Sequence, residues 1–287
     1  MLGTISPEQI QQYQDEGYLF PIQVFSSEEV DHFKSEFEKT KTLVGENVTP
    51  HDLRQPQIHF RWAYEIATHP KILDVIEDLI GPDILVSRGS IFFKDPGPGY
   101  YTFHADAYPL GISDEHAGKF ASVWIALTES NEENGCMQVI PRTHLAKIEH
   151  TETLFAEEHN QNSAVSRGLT VMMDLERAEK VSLVLQPGQM SVHHANLVHG
   201  SGPNRTNQSR IGIVMRYMAP QVKENAKLNH PVIVARGSDA YGYNDHLGDP
   251  PTGSLEDGLR AMATFVAGHP EGYIYQKQSS LLKAGVN

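Results

Sequence analysis

Cysteine is nearly absent from this 287-residue chain: Cys136 stands alone. A single cysteine excludes an internal disulfide framework and fits a reducing compartment. It follows "ENG" in an apolar stretch, so it reads as a buried, inert thiol. No uninterrupted apolar run approaches the roughly 18 residues that span a bilayer. The opening "MLGTISPEQIQQYQDEG" has neither the basic nor the apolar region of a signal peptide. The chain is therefore expected to be cytoplasmic, with no membrane partner. Positive charge is also in short supply, with 23 Lys and Arg against 36 Asp and Glu and a formal charge of −13. That balance argues against nucleic acid or an anionic lipid surface as partner. An anionic small molecule stays possible, because a basic pocket can sit in an acidic protein. Asn47, Asn204 and Asn207 open N-x-[ST] patterns that carry no meaning without secretion.

What is present is ordinary globular composition, 39% hydrophobic and 21% charged. The length allows one large domain or two small ones. The first third reads as mostly helical. Ser6-Pro7-Glu8-Gln9 is a capping box with proline at the first helical position, and Gly17 is a stop. "YLFPI" follows as a strand. A second helix starts at Ser26 or Ser27 with Val30, Phe33 and Phe37 on its apolar face. A third runs from about Pro70 to Leu79, burying Ile72, Val75, Ile76 and Leu79, with Gly81 as its stop. From Ile84 the period changes. "ILVSRGSIFFKD", "FASVWIAL", "CMQVI", "VSLVLQ", "MSVHHA" and "RIGIVMRYM" are short β-type runs separated by turn signals, the pattern of an antiparallel sandwich or barrel. A polar insertion lies between Thr143 and Lys180, and the segment after Met218 has weak periodicity. The reading is one domain over 1–287, with helical support in 1–82, a β core in 83–218 and a C-terminal extension in 219–287.

Chemistry concentrates in four residues. In an extended segment, residues two apart share a face, so His104 and Asp106 of "YTFHADAY" converge while Ala105 points away. A third ligand must come from a distant strand, where His193, His194 and His199 compete. The "HGSG" context and the spacing to Arg210 favour His199, with His194 lying behind the ligands and His193 packing. Two imidazoles and one carboxylate with open positions suit non-haem Fe(II) oxygen chemistry. Arg210 opens the next strand, and a hairpin through "GSGPN" would return it beside the metal. Its guanidinium is suited to gripping a carboxylate through paired hydrogen bonds, and Ser201 is near enough to add another. His144, after a proline turn, reads as a loop anchor, and "DPGPGYY" as a loop at the pocket mouth.

The motifs "HAD", "ENGCMQVIPRTH" and "HHANLVHGSGPN", with an arginine eleven positions after the last histidine, resemble the phytanoyl-CoA dioxygenase family of Fe(II)/2-oxoglutarate oxygenases. The resemblance covers roughly Ile84 to Tyr217. It implies a mostly β fold with N-terminal helices around a double-stranded β-helix (jelly-roll, cupin-like) core. It implies iron ligands at His104, Asp106 and His199, and a 2-oxoglutarate clamp at Arg210 with Ser201 assisting and Trp124 bordering the co-substrate. The implied reaction couples O2 and 2-oxoglutarate to oxidation of a small-molecule substrate, releasing succinate and CO2. Related halogenases carry a small residue where Asp106 stands, so the carboxylate implies hydroxylation. One departure is Arg142, where the family often has glycine. Substrate contacts are sought at Arg61, Arg88, Tyr108, Asn134 and Arg142, with Tyr101 and Arg167 behind them. Arg216 shares the face of Arg210 and could serve either site or a buried ion pair. The expected substrate is a small polar metabolite: amino-acid-like, an aminophosphonate or a natural-product intermediate. The alternatives are a non-catalytic jelly-roll binding protein and a redox-neutral cupin-like metalloenzyme.

Overall fold

The computed structural model describes residues 3–45, 48, 50, 53–152, 169–224 and 230–268. Helix α1 (Pro7–Glu16) begins with the expected capping box. Ser6 accepts from the Gln9 amide and the Gln9 side chain accepts from the Ser6 amide, while Gly17 ends the helix at φ 87°. After strand β1 (Tyr18–Gln23), helix α2 (Ser27–Val44) repeats the device with Ser26 and Glu29. Each cap satisfies amide donors that the first turn would otherwise strand, worth about 1 kcal/mol. Helix α3 (Arg61–Ala67) has no sequence signal of its own. Helix α4 (Pro70–Ile80) buries Ile72, Leu73, Val75, Ile76 and Ile80. Leu79, expected inside, is only partly buried, because the helix continues one residue and Ile80 takes the core position.

The β core is two antiparallel sheets, a jelly roll. The larger comprises β1, β2 (Ile84–Lys94), β4 (Phe120–Ala126), β9 (Gln189–His194), β11 (Arg210–Met218) and β12 (Ile233–Arg236), in the order β1-β9-β4-β11-β2-β12. The smaller has the order β3-β10-β5-β8, from β3 (Tyr101–His104), β5 (Met137–Val139), β8 (Val181–Ser182) and β10 (His199–Ser201). Strands β6 (His150–Glu152) and β7 (Leu169–Val171) form a separate pair within the insertion. Arg167 and the middle of that insertion lie outside the described residues. "VSLVLQ" contributes only two residues of strand rather than a full one.

Strand parity divides the large sheet into two faces. On β11, Ile211, Ile213, Met215 and Tyr217 pack with Val123 and Ile125 of β4 against Phe33, Phe37, Ile66 and Ile76 of the helices. Full burial of each such side chain stabilises by about 1.5–3 kcal/mol. The opposite face carries Arg210, Gly212, Val214 and Arg216 toward the small sheet, where Trp124, Val214, Val139 and Leu197 form an inter-sheet cluster. A register shift between Arg216 and Tyr217, with Ser87 as the extra residue on β2, restores parity at the far end.

The described part of the C-terminal segment holds more regular structure than its periodicity suggests. Strand β12 closes one edge of the large sheet. A final helix, α7 (Leu255–Gly268), follows α5 (Ala107–Leu110) and α6 (Asp114–Ala117) in chain order. It contacts α2 and buries Leu259 and Met262 in the helical layer. No described helix is long and apolar enough to cross a membrane.

Candidate metal centre and its pocket

Strands β3 and β10 are neighbours in the small sheet, with His104 directly opposite His199. Their ring centroids are 4.4 Å apart. Each Nδ1 meets the backbone carbonyl two residues earlier, Thr102 at 2.8 Å for His104 and Leu197 at 2.9 Å for His199. A carbonyl only accepts, so Nδ1 carries the proton and each Nε2 keeps its lone pair for the centre. Asp106 arrives differently from the alternation expected of a strand. Strand β3 ends at His104, and Asp106 already has helical angles (φ −64°, ψ −34°) at the start of α5. The chain turns its carboxylate back onto the imidazoles. One ligand atom from each of the three residues lies within 4.8 Å of the others, a spacing that could hold a metal ion.

The protonation states suit that use, because ligands must be free of protons. Burial holds the His104 imidazole below the usual histidine range and His199 well below it, against the pull of Asp106. Burial by itself would raise Asp106. Arg216, the His193 contact and His199 outweigh it and keep the carboxyl well below the usual carboxylate range. Arg216 Nε donates to Oδ2 at 3.1 Å and Nη2 to Oδ1 at 3.0 Å, while the Ser122 hydroxyl donates to Oδ2 at 2.5 Å. Arg216 thus belongs to an ion pair with Asp106, one of the two roles expected for it. The histidine pair is reversed from expectation. His193 lines the pocket with Nε2 at 3.6 Å from Asp106 Oδ2. His194 sits on the other side, against Tyr13 and His144, accepting from the Asn196 amide. His144 anchors its loop through the Gln14 carbonyl.

The pocket continues to a cationic end. Arg210 is 3% exposed. One of its Nη groups donates to the Gly135 carbonyl, and its Nε is buried with no hydrogen-bond partner. Its guanidinium lies 5.1 Å from the Trp124 ring. Gly212 makes that possible: a Cβ there would fall 2.1 Å from the indole. Arg210 does not return by a hairpin. Strand β10 is in the small sheet and β11 in the large one, so the "GSGPN" segment carries the chain across the sandwich. Lys94, which the sequence reading missed, lies opposite Arg210 on β2. Its Nζ donates to the Ser201 hydroxyl at 2.6 Å and to the carbonyls of Gly202 and Gly135. Burial, with Arg210 nearby, pushes it down to about 7. Two buried cations share one carbonyl, Gly135, in a left-handed turn (φ 73°) whose Cβ would strike the Gly202 carbonyl at 2.4 Å. Tyr101 also lines this pocket.

The residues expected to contact substrate do not gather there. Arg61 is exposed on α3 and pairs with Glu65 at 2.8 Å. Arg88 shares a face with Arg216 but donates through Nε and Nη2 to Glu224. Asn134 ties its own turn together, donating to the Glu129 carbonyl and accepting from the Asn131 amide. Arg142 is exposed, bound to Glu16, and left-handed at φ 66°. That backbone explains why glycine suits the position, while the pairing with Glu16 holds the side chain away from the pocket. Tyr108 is 53% exposed and stacks on His150 at 4.5 Å, lining a different cavity outside the metal-ligand loop.

The chain that carries these residues has relatives among known proteins. Residues 13–212 match the family model described as phytanoyl-CoA dioxygenase. A probable alpha-ketoglutarate-dependent hypophosphite dioxygenase from Stutzerimonas stutzeri is 27% identical over 74% of this chain and 78% of its own. Peroxisomal phytanoyl-CoA dioxygenase of Mus musculus is 25% identical over 74% and 68%. A solved structure of the non-heme monooxygenase ThoJ without ligand superposes with TM-score 0.73, covering 96% of this chain and 98% of that one at 25% identity. With the match extending over more than half its length, the chain belongs to the phytanoyl-CoA dioxygenase family.

Proposed function

We propose that this chain is an Fe(II)/2-oxoglutarate-dependent dioxygenase, a single cytoplasmic oxygenase domain, that hydroxylates a small polar metabolite with release of succinate and CO2. The observation that carries the reading is one pocket lined at once by the His104, Asp106 and His199 donors and by the buried Arg210, with Lys94 behind it bound to the pocket residue Ser201. In this reading the three donors hold iron, which supplies oxygen activation when bound. Arg210 and Lys94 bind the far carboxylate of 2-oxoglutarate, with Ser201 donating beside them. The unpartnered Arg210 Nε fits such a ligand, because a buried donor left unsatisfied costs about 1–3 kcal/mol. Trp124 orients the guanidinium and excludes water. A redox-neutral cupin-like enzyme has no use for two buried cations one strand away from its ligands, and a non-catalytic jelly roll has no reason to keep them desolvated. Asp106 supports hydroxylation over halogenation, since its carboxylate fills the position a halide would need. The likeness to a hypophosphite dioxygenase favours a small anion, such as an aminophosphonate or an amino-acid-like compound.

The test is anaerobic addition of Fe(II) and 2-oxoglutarate to the metal-free protein. A weak visible charge-transfer band is expected, followed by succinate once oxygen is admitted. Iron-loaded protein giving neither the band nor succinate overturns the reading. Succinate production above the uncoupled background, across a panel of small anionic metabolites, identifies the substrate.

A further inference from the structure

One transverse row of the large sheet points at Asp106. His193 on β9 lies opposite Ser122 on β4, and Ser122 lies opposite Arg216 on β11. Neighbouring strands are about 4.8 Å apart, so the three side chains project side by side from one face. Two of them already bind the carboxylate. Ser122 and Arg216 both donate to Oδ2, and only the second Arg216 contact reaches Oδ1. The third, His193, places Nε2 at 3.6 Å from the same Oδ2, just beyond hydrogen-bond reach.

His193 is 2% exposed, and neither of its ring nitrogens has a hydrogen-bond partner. Packing alone does not account for an imidazole here, because a phenyl ring fills the space without stranding polar atoms. Nor is His193 a fourth ligand: among the described residues the cluster of mutually close donor atoms comprises His104, Asp106 and His199. Its ring stands 4.4 Å from that of His199, the same separation that His104 keeps. It is therefore beside two of the three donors and aimed at the carboxylate between them.

We propose that His193 is a positioning residue of the metal centre: its Nε2–H donates to Asp106 Oδ2 when Oδ1 is drawn onto the metal. Three donors then occupy one oxygen of Asp106, and the carboxylate ligates through the other oxygen alone. The consequence is chemical. A carboxylate that chelated through both oxygens would take a coordination position that the co-substrate and O2 need. The row of donors keeps that position open. The inference rests on the reading of Asp106 as a ligand, and the experiment separates the two.

The probe is Co(II) added alone to the full-length, metal-free protein. Affinity is read by competition titration, and carboxylate binding mode by the splitting between the two carboxylate stretches in protein labelled with 13C-aspartate. His193→Phe is expected to melt, metal-free, no lower than the parent, while binding Co(II) roughly 10–100-fold more weakly. Its carboxylate splitting should narrow toward the two-oxygen mode. His193→Gln keeps an N–H donor and should recover most of the affinity and the parent splitting. If His193→Phe fails to fold, His193→Asn, too short to reach Asp106, replaces it. Unchanged affinity and splitting in His193→Phe, or equal losses in His193→Phe and His193→Gln, overturn the proposal. Asp106→Ala is the control. If it abolishes Co(II) binding while His193→Phe changes nothing, only the role of His193 falls. If it leaves binding intact, the ligand set falls, and the role of His193 with it.

Discussion

A carboxylate and a guanidinium at opposite ends of one pocket should fail in different ways. Asp106→Ala removes the carboxylate that the proposed function assigns to the metal and leaves the half-buried Arg216 without its partner, so iron content and turnover should both be lost. Arg210→Ala should leave iron content near that of the parent and raise the 2-oxoglutarate requirement by at least tenfold, since a charge-assisted hydrogen bond is worth about 1.5–3 kcal/mol. Measuring iron stoichiometry beside the KM for 2-oxoglutarate distinguishes them; equal losses of both in Arg210→Ala mean that Arg210 is structural. That His104, Asp106, His199 and Arg210 come together in one pocket was legible because their residue types are scarce in β-strands and their spacing is specific. His193 and His194 were not, because adjacent residues differ only in strand parity, and the sequence does not say which face of β9 looks inward. Lys94 was readable in principle. It shares the parity of Phe92, opposite to the core residues Ile91 and Phe93, which points it into the sandwich; a lone lysine at a strand end passes for a solvated terminus.

At the level of elements, the capping box of α1 and the glycine stops were plain in the sequence because they are local. Strand β12 and helix α7 were not, since their stability comes from an edge of the large sheet and from the helical layer. The arginines sought as substrate contacts lie away from the lining of the metal pocket for a related reason. Arg88 and Arg142 found carboxylate partners on distant segments that spacing cannot reveal, whereas the Arg61–Glu65 pair, four residues apart on one helix, was readable from spacing. Strand packing carries its own prediction at Gly212. Ala at this position drives a methyl into the Trp124 indole, which must swing away from Arg210. Overpacking of this kind costs about 1–3 kcal/mol of stability. With only Trp62 and Trp124 in the chain, intrinsic fluorescence reports the change: Gly212→Ala should lose the fluorescence response to 2-oxoglutarate while still binding iron. A parent-like response would show that the indole does not depend on the bare backbone of β11.

For the whole molecule, the buried lysine ties stability to pH. Lys94 is pushed down to about 7 in the folded protein from 10.5. Between those values the unfolded chain binds the extra proton, so stability of the ligand-free protein rises as pH increases from about 7 toward 10.5. Below about 7 the burial cost is fully present. Binding a carboxylate beside Lys94 raises its pKa, so 2-oxoglutarate affinity should fall as pH rises through the same window. Melting curves with and without 2-oxoglutarate check both. Saturation at a hundredfold excess over Kd adds about 2.7 kcal/mol, an upward shift of roughly 5 °C that should shrink above pH 7. A shift independent of pH means that the Lys94 proton plays no part. An antiparallel sandwich or barrel was legible from the short strands and turns, and the jelly roll from the family resemblance, yet the passage from β10 to β11 across the sandwich was not, because a turn sequence does not record which sheet follows it. That passage makes the protein a ruler. His199 and Arg210 are only a loop apart in sequence, but one is fixed to each sheet, and sheets stack about 10 Å apart. Neither grip can approach the other without compressing the layers or draw away without prying them open, so under the proposed function a five-carbon oxo-diacid should bind better than its shorter and longer homologues.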